Sequence, residues 1–354
     1  MDFSWNEEQE MIRNMARQFA DGIREEAAAA EESGEFSRPI TKKLAENGFL
    51  GMCVAEEHGG QGLDFLSYLI ATEEISRASA GQGMTVGLHN SLINYPLVHF
   101  GSEEQKRKYL RGSATGELLG CYALSEPDAG SDATHIKTTA VKKGDRYVIN
   151  GTKIFITNGS VADFVILFSR IDRGSGVIRG MSAFIVDKMT PGFSIGTIEK
   201  KMGLRSSPTC ELIFENAEVP ASALLGAEGK GLRIAIETLH GGRVAVAASA
   251  VGMAEEAFEA ARAYALQREQ FGHRIAEFQG IQWMFADMRT EIDAARFLTY
   301  EAGWRKEKNL SYARQASQAK LFATETATRT ASRAIQIHGG YGYMHEYRVE
   351  QIYR

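Results

Sequence analysis

Arg146-Tyr147-Val148-Ile149-Asn150-Gly151-Thr152-Lys153-Ile154-Phe155-Ile156-Thr157-Asn158-Gly159 is the stretch on which the fold turns. β-Branched and aromatic residues dominate it. Thr138 to Val141 before it reads as a strand, Lys142-Lys143-Gly144-Asp145 as a turn, and Arg146 to Ile149 as the next strand. Asn150-Gly151 is a hairpin signal, because both residues tolerate the positive φ of a tight turn. It leads into a strand from Lys153 to Thr157. Further β-rich runs are Phe164 to Phe168, Ser182 to Val186 and Glu211 to Phe214. Short strands with close turns imply a sandwich or barrel-like unit rather than alternating βαβ.

Helical patterns flank this unit. Ser4 with Glu7 reads as a capping box, and Met11, Ile12, Met15 and Phe19 as the buried face of the helix it starts. Ile40 and Leu44 mark a second helix. Ser102 with Gln105 caps a third, running through Tyr109 and Leu110. Turns fall at His58-Gly59-Gly60-Gln61-Gly62 and at Gly101. After Val219-Pro220 the pattern is helical again. Gly231 to Leu266 is long and small-sided almost all round, which means burial against other helices or another subunit. Two more long helices are expected near Phe278 to Trp304 and Tyr312 to Ile337. The order is helical, β, helical, an α+β class, with divisions expected at 1–118, 119–228 and 229–354.

Composition narrows the function. Apolar residues are 44% of 354 and charged residues 24%, enough to build a large core. A net charge of −5 with no basic block argues against nucleic acid. The start, Met1-Asp2-Phe3-Ser4-Trp5-Asn6-Glu7-Glu8, is acidic and lacks a signal-peptide pattern, and the longest apolar run, Val244 to Ala254, is too short to span a bilayer. Cys53, Cys121 and Cys210 stand far apart and give no metal or disulfide spacing. A cytoplasmic protein without membrane insertion is expected, or a mitochondrial-matrix one in a eukaryote. The eight histidines do not cluster at ligand spacing, so no metal site is expected. No GxGxxG follows a strand, which disfavours a nicotinamide site.

Two segments carry chemistry. Tyr122-Ala123-Leu124-Ser125-Glu126-Pro127-Asp128-Ala129-Gly130-Ser131-Asp132 alone would pass as an ordinary loop. Thr152 to Gly159 alone would pass as a strand and turn. Together, an aromatic beside hydroxyls and backbone amides suits a flavin, whose ring needs a flat apolar wall and polar partners at its edge.

At these residues the chain resembles the acyl-CoA dehydrogenase family. Leu124 to Asp132 resembles its T-E-P-x-A-G-S-D signature, and Phe155 to Gly159 its W-I-T-N-G element, with Phe for Trp. Lys201-Met202-Gly203-Leu204-Arg205 resembles K-M-G-x-R, residues 268–272 resemble R-x-x-F-G, and residues 336–342 resemble Q-x-x-G-G-x-G. The motifs fall in family order along the whole chain, closest in look to short-chain or butyryl-CoA members. The resemblance implies the family fold, with a four-helix-bundle-like C-terminal domain. It implies FAD, an acyl-CoA substrate dehydrogenated to the 2-enoyl-CoA, electron-transfer flavoprotein as acceptor, and a homo-oligomer built as a dimer of dimers.

By the same resemblance, Ser125 and Thr157 hydrogen-bond the flavin, Phe155 lies against its ring, and Tyr122, Leu124, Gly130 and Ile156 complete that wall. Ser131 is shared with the CoA arm, which His240 and Arg243 also hold. Arg268, Gln270, Phe271, Gln336 and Gly340 reach the FAD of a neighbouring subunit. The family's usual base, a Glu, is expected shortly beyond Arg354, in a tail that this chain lacks. The alternative base position corresponds to Gly242, which has no side chain, so no catalytic residue is assigned. His240 replaces an Asp, in a Thr238 to Arg243 segment that points to a short or branched acyl group. Two alternatives stay open on the sequence: an oxidase or flavin monooxygenase of the same fold, and a non-catalytic CoA- or flavin-binding homologue.

Overall fold

The structure is a computed structural model and describes residues 4–172 and 178–354. Met1, Asp2 and Phe3, which open the acidic start, lie outside the described residues. The first helix, α1 (Glu7–Gly22), begins two residues later than the Ser4–Glu7 reading places its cap. Asn6 is the N-cap, and its side chain accepts from the Gln9 amide at 2.8 Å while Gln9 returns the bond to the Asn6 amide at 3.2 Å. The buried stripe shifts accordingly to Ile12, Ala16 and Ala20, and Met11 is 67% exposed. A four-residue spacing of small side chains fits the close neighbour below; Met11 and Met15 face outward.

Helices α2 (Arg24–Ser33), α3 (Arg38–Glu46), α4 (Phe65–Ala78) and α5 (Ala80–Leu88) follow, then a π-helical stretch, His89–Asn94, that runs into α6 (Tyr95–Phe100). Ile40 and Leu44 of α3 are buried as expected. Ser102 and Gln105 form the capping box of α7 (Glu103–Gln105), which continues through a π-helical Lys106–Leu110 into α8 (Arg111–Thr115).

Eight strands come next: β1 (Gly120–Ala123), β2 (Thr139–Lys143), β3 (Arg146–Thr157), β4 (Phe164–Asp172), β5 (Ile178–Asp187), β6 (Phe193–Ile198), β7 (Thr209–Pro220) and β8 (Leu224–Leu225). They form one sheet in the order β6-β7-β3-β2-β4-β5-β8, with β1 pairing in parallel along β4. The expected hairpin at Asn150-Gly151 does not form. β3 is a single strand antiparallel to β7 throughout, from Arg146 opposite Pro220 to Thr157 opposite Thr209. Gly151 sits at a register shift because a Cβ there would lie 2.4 Å from the Thr138 hydroxyl, and the Asn150 side chain is engaged with Asn216. The turn before it, around Gly144, is the real reversal between β2 and β3.

The chain returns to helix in α9 (Gly231–Gln267), passes through a two-strand hairpin of β9 (Glu269–Gln270) and β10 (His273–Arg274), and finishes with α10 (Gln279–Glu307), α11 (Ala313–His338) and α12 (Arg348–Tyr353). α9 packs on α10 and α11 and also on α4 and α5. One apolar core therefore holds Ile40, Tyr68 and Ile75 together with Val244, Ala248, Ile292 and Ala323. At the crossing, Gly252 leaves room for the α4 backbone; a Cβ there would lie 2.1 Å from the Glu73 carbonyl. Ion pairs flank this crossing, from Arg24 of α2 to α9 and from Arg296 of α10 to both α4 and α9. Arg24 meets Glu256 at 2.5 Å, and Arg296 bridges Glu73 at 2.9 Å and Glu255 at 2.7 Å. Burial opposes ionisation of Glu255, but hydrogen bonds from Arg289 and Arg296 hold its pKa down at about 2.

Candidate functional site

The two sequence segments meet at the end of β1. There the chain leaves the sheet at Leu124 and closes a tight turn in which Glu126 and Ala129 exchange backbone bonds of 3.1 Å. The Ser125 carbonyl accepts the Ile154 amide at 3.0 Å, which ties the loop to β3. Lys153 lies beneath. Its ammonium donates to the Leu124 carbonyl at 3.0 Å and to Glu126 at 2.7 Å, and the side chains are 0% and 4% exposed. Glu126 also accepts from the Lys137 and Thr138 amides, the latter at 3.1 Å. Burial pulls the Lys153 pKa down to about 8 against the pull of Glu126. Burial pushes the Glu126 pKa up most, but the Lys153 charge and the hydrogen bonds from Lys153, Thr138 and Lys137 together hold it below the usual carboxylate range.

Directly above this pair the ladder bulges between Lys153 and Ile156. Phe155 takes φ 56° and turns outward, 63% exposed, while Ile156 points into the core. An aromatic residue in the left-handed region is strained, and strain of this kind concentrates at functional sites. Thr157 is half-buried at the strand end, opposite Thr209. The Lys201 ammonium secures the adjoining loop through the Leu204 and Ser207 carbonyls and the Thr209 hydroxyl. Asn158, with φ 59°, is buried and reaches Thr85 of α5 at 3.5 Å. The Tyr122 hydroxyl and the Asn158 amide oxygen are buried without a hydrogen-bond partner among the described residues. Gly130 and Ser131 lie exposed at the tip of the loop, and a side chain added at Gly130 would meet open space.

A second group sits on α9. The His240 ring nitrogen Nδ1 pairs with the Arg243 guanidinium at 3.0 Å, and the ring packs edge-on to Tyr312. Burial, then the Arg243 charge, lower the His240 pKa, so His240 is neutral and accepts the bond. Gly242 faces the π-helical stretch, where a Cβ would come within 2.9 Å of Leu92. Nearby, the Lys306 ammonium stands 3.6 Å from the Phe65 ring centre and 4.7 Å from that of Tyr95; burial pulls its pKa to about 8. Among the described residues, no hydrogen bond joins Ser131 to this group.

The third group forms a rim at the far end of α9 and α11. Phe271 (φ 55°) and Gly272 (φ 78°) make the two-residue turn between β9 and β10, and Phe271 is 93% exposed. Arg268 lies over Tyr341, 5.6 Å from its centroid. Tyr264 and His338 stack at 4.3 Å behind them. Arg268, Gln270, Gly339 and Gly340 line a cavity of ≈ 540 Å³ with Tyr264, His338 and Tyr341. Gln336 is exposed on the last turn of α11, its carbonyl accepting the Gly339 amide. Among the described residues no hydrogen bond or ion pair joins this rim to residues 122–158.

Such residues fit a flavin dinucleotide: an out-turned aromatic on a strained bulge, unpartnered buried polar atoms beside it, and elsewhere a cavity lined by an arginine suited to phosphate. Models of the acyl-CoA dehydrogenase N-terminal, middle and C-terminal domains match residues 6–117, 121–217 and 229–354. The chain belongs to the acyl-CoA dehydrogenase family, FAD-dependent oxidoreductases acting on a CH–CH group. Among its relatives is the short-chain specific acyl-CoA dehydrogenase of Clostridium acetobutylicum, 46% identical over 100% of this chain and 93% of that protein. Its structure matches the butyryl-CoA dehydrogenase of Megasphaera elsdenii with a TM-score of 0.96, 40% identity, and coverage of 100% of this chain and 93% of that one. A chain from a structure of the electron transferring flavoprotein of Acidaminococcus fermentans matches with a TM-score of 0.97, 48% identity and the same coverage.

Sequence reasoning missed the charged pair under the site. Glu126 and Lys153 lie inside the quoted segments and were assigned no role. The available signal was a lysine in a strand otherwise apolar on its buried side.

Proposed function

We propose that the chain dehydrogenates a short or branched acyl-CoA between its α and β carbons and passes the electrons to electron-transfer flavoprotein. FAD, when bound, supplies the acceptor for the hydride. Ser125 and Thr157 hydrogen-bond the flavin edge, Phe155 walls its ring, and Tyr122, Leu124, Gly130 and Ile156 complete the cradle. Ser131, His240 and Arg243 hold the CoA arm, with His240 aiming the Arg243 fork. Arg268, Gln270, Phe271, Gln336 and Gly340 serve the cofactor of a second copy, within a dimer of dimers. Their separation from the cradle and the outward pose of Phe271 favour that division. The α-proton must pass to a carboxylate base, a role assigned to none of the described residues; Gly242, at the family's alternative position, carries no side chain. We place the protein in the cytoplasm, or in the matrix of a mitochondrion; no helix among the described residues is long and apolar enough to cross a membrane.

The observation that carries this reading is the 3.0 Å bond from Ile154 to Ser125, which puts both flavin segments in one cradle beside an exposed Phe155. Purified protein should be yellow, hold FAD without a covalent bond, and bleach on addition of butyryl-CoA more readily than with long-chain thioesters. A colourless protein that takes up no FAD on reconstitution sinks the reading. Rapid reoxidation of the reduced protein by oxygen would instead favour an oxidase.

A further inference from the structure

Lys153 and Glu126 are sealed from solvent, so neither touches a ligand, yet each is covalently next to residues that do under the reading above. Glu126 follows Ser125. Lys153 precedes Ile154, whose amide holds the Ser125 carbonyl, and Phe155 comes next. Their bonds knot three separate stretches of chain at one point: Leu124 to Glu126, Lys137 with Thr138, and β3 at Lys153. A buried ion pair is a poor choice for stability alone, because apolar side chains of similar volume are often as good or better. What it provides is direction, since each bond fixes an angle as well as a distance. The strained backbone of Phe155 begins two residues past the lysine ammonium's anchor, and a strained residue persists only where its surroundings over-determine it.

We propose that the Lys153–Glu126 pair is a positioning device that locks the Leu124–Glu126 turn and the Phe155 bulge into one rigid unit, so that Ser125, Phe155 and Thr157 are already set when the flavin arrives. The inference rests on the flavin reading of the cradle. Its signature is a loss of cofactor fit without loss of fold. In the full-length protein, the double variant Lys153→Met/Glu126→Leu removes both charges at similar volume. Its apoprotein should still unfold in one cooperative transition, at a melting temperature lowered because the Lys137 and Thr138 amides lose their acceptor. Its FAD Kd should rise at least about tenfold, equivalent to about 1.4 kcal/mol. The bound-flavin absorption band should move toward that of free FAD, and the midpoint potential should shift. Wild-type Kd, spectrum and potential in the folded double variant overturn the proposal. Should that variant fail to fold, Glu126→Gln keeps the shape and an acceptor for Lys153. A raised Kd with a shifted spectrum in Glu126→Gln supports the positioning role; an unchanged spectrum and potential overturn it. A wild-type protein that takes up no FAD overturns the flavin reading itself, a result distinct from wild-type binding that the double variant matches.

Discussion

Phe155 and Phe271 are two exposed aromatic residues held in the left-handed region, at φ 56° and 55°. They differ in what stands behind them. Phe155 rises from a strand bulge backed by a buried ion pair and by the Ser125 to Ile154 bond. Phe271 stands at the tip of a two-residue turn, 93% exposed, with the Phe278 ring 6.4 Å away between centroids. One region is closed on its own chain, with its polar groups largely satisfied from within. The other presents an aromatic, an arginine and open glycine backbone to the outside. The same local strain stands on a surface backed by its own chain in one place and on an open tip in the other; on the reading proposed above, the first would wall a flavin and the second would reach another copy.

The largest expected effect breaks the closed region from within. Lys153→Met leaves the Glu126 carboxylate buried without its cation, which costs about 3–5 kcal/mol. Denaturant unfolding should show that loss, and a change under about 1 kcal/mol would mean that water reaches Glu126. At the rim, Arg268→Ala should leave the fold intact and weaken FAD retention by about 1.5–3 kcal/mol, the range of a charge-assisted contact to phosphate. If Arg268 serves a second copy, the loss should deepen as the protein is diluted. Retention that is equal at all concentrations would place the contact within one chain.

Acid should separate the two regions. Burial lowers the pKa of His338 from its ordinary 6.5. Below that value the unfolded chain takes up the proton first, so stability contributed there is present at neutral pH and falls as pH drops. Glu126 is held low and keeps its charge over the same range. A plot of melting temperature against pH should therefore flatten below 6.5 in His338→Asn and not in Glu126→Gln. The smallest effect is of opposite sign in two assays. Phe155→Gly relieves the positive φ and should stabilise the apoprotein by up to about 1 kcal/mol, while FAD affinity falls. If both fall together, Phe155 is a packing residue instead.

Much of this was legible in the sequence, and the exceptions have physical causes. The helical–β–helical order, α3, the Ser102–Gln105 box and the long helix α9 follow from periodicity and caps, which are local signals. The Asn150-Gly151 hairpin failed because the requirement at Gly151 is set by Thr138 across the sheet, which no local pattern reveals. The Gly144-Asp145 turn follows the sequence reading, whereas the Phe271-Gly272 turn escapes it because phenylalanine is a poor turn former. Residues 122–132 and 152–159 could be read as a candidate flavin segment from an aromatic beside hydroxyls and amides, and the family resemblance assigned the individual residues, yet the Lys153–Glu126 pairing was not readable. Their role depends on a contact 27 residues apart in sequence. The pairing of His240 with Arg243, by contrast, is one helical turn and was within reach.

The seam between α4 and α9 has a mechanical meaning for the whole chain. Segments on either side of the sheet share one apolar core and are joined at its edge by Arg24 with Glu256 and by Arg296 with Glu73. They should unfold as one cooperative unit even though more than a hundred residues of sheet and loop separate them in sequence. Amides of α4 and α9 should then share a single exchange protection in deuterium labelling. A protein nicked within the sheet region should hold together as two fragments, because the helices keep each other's company more firmly than the backbone between them does.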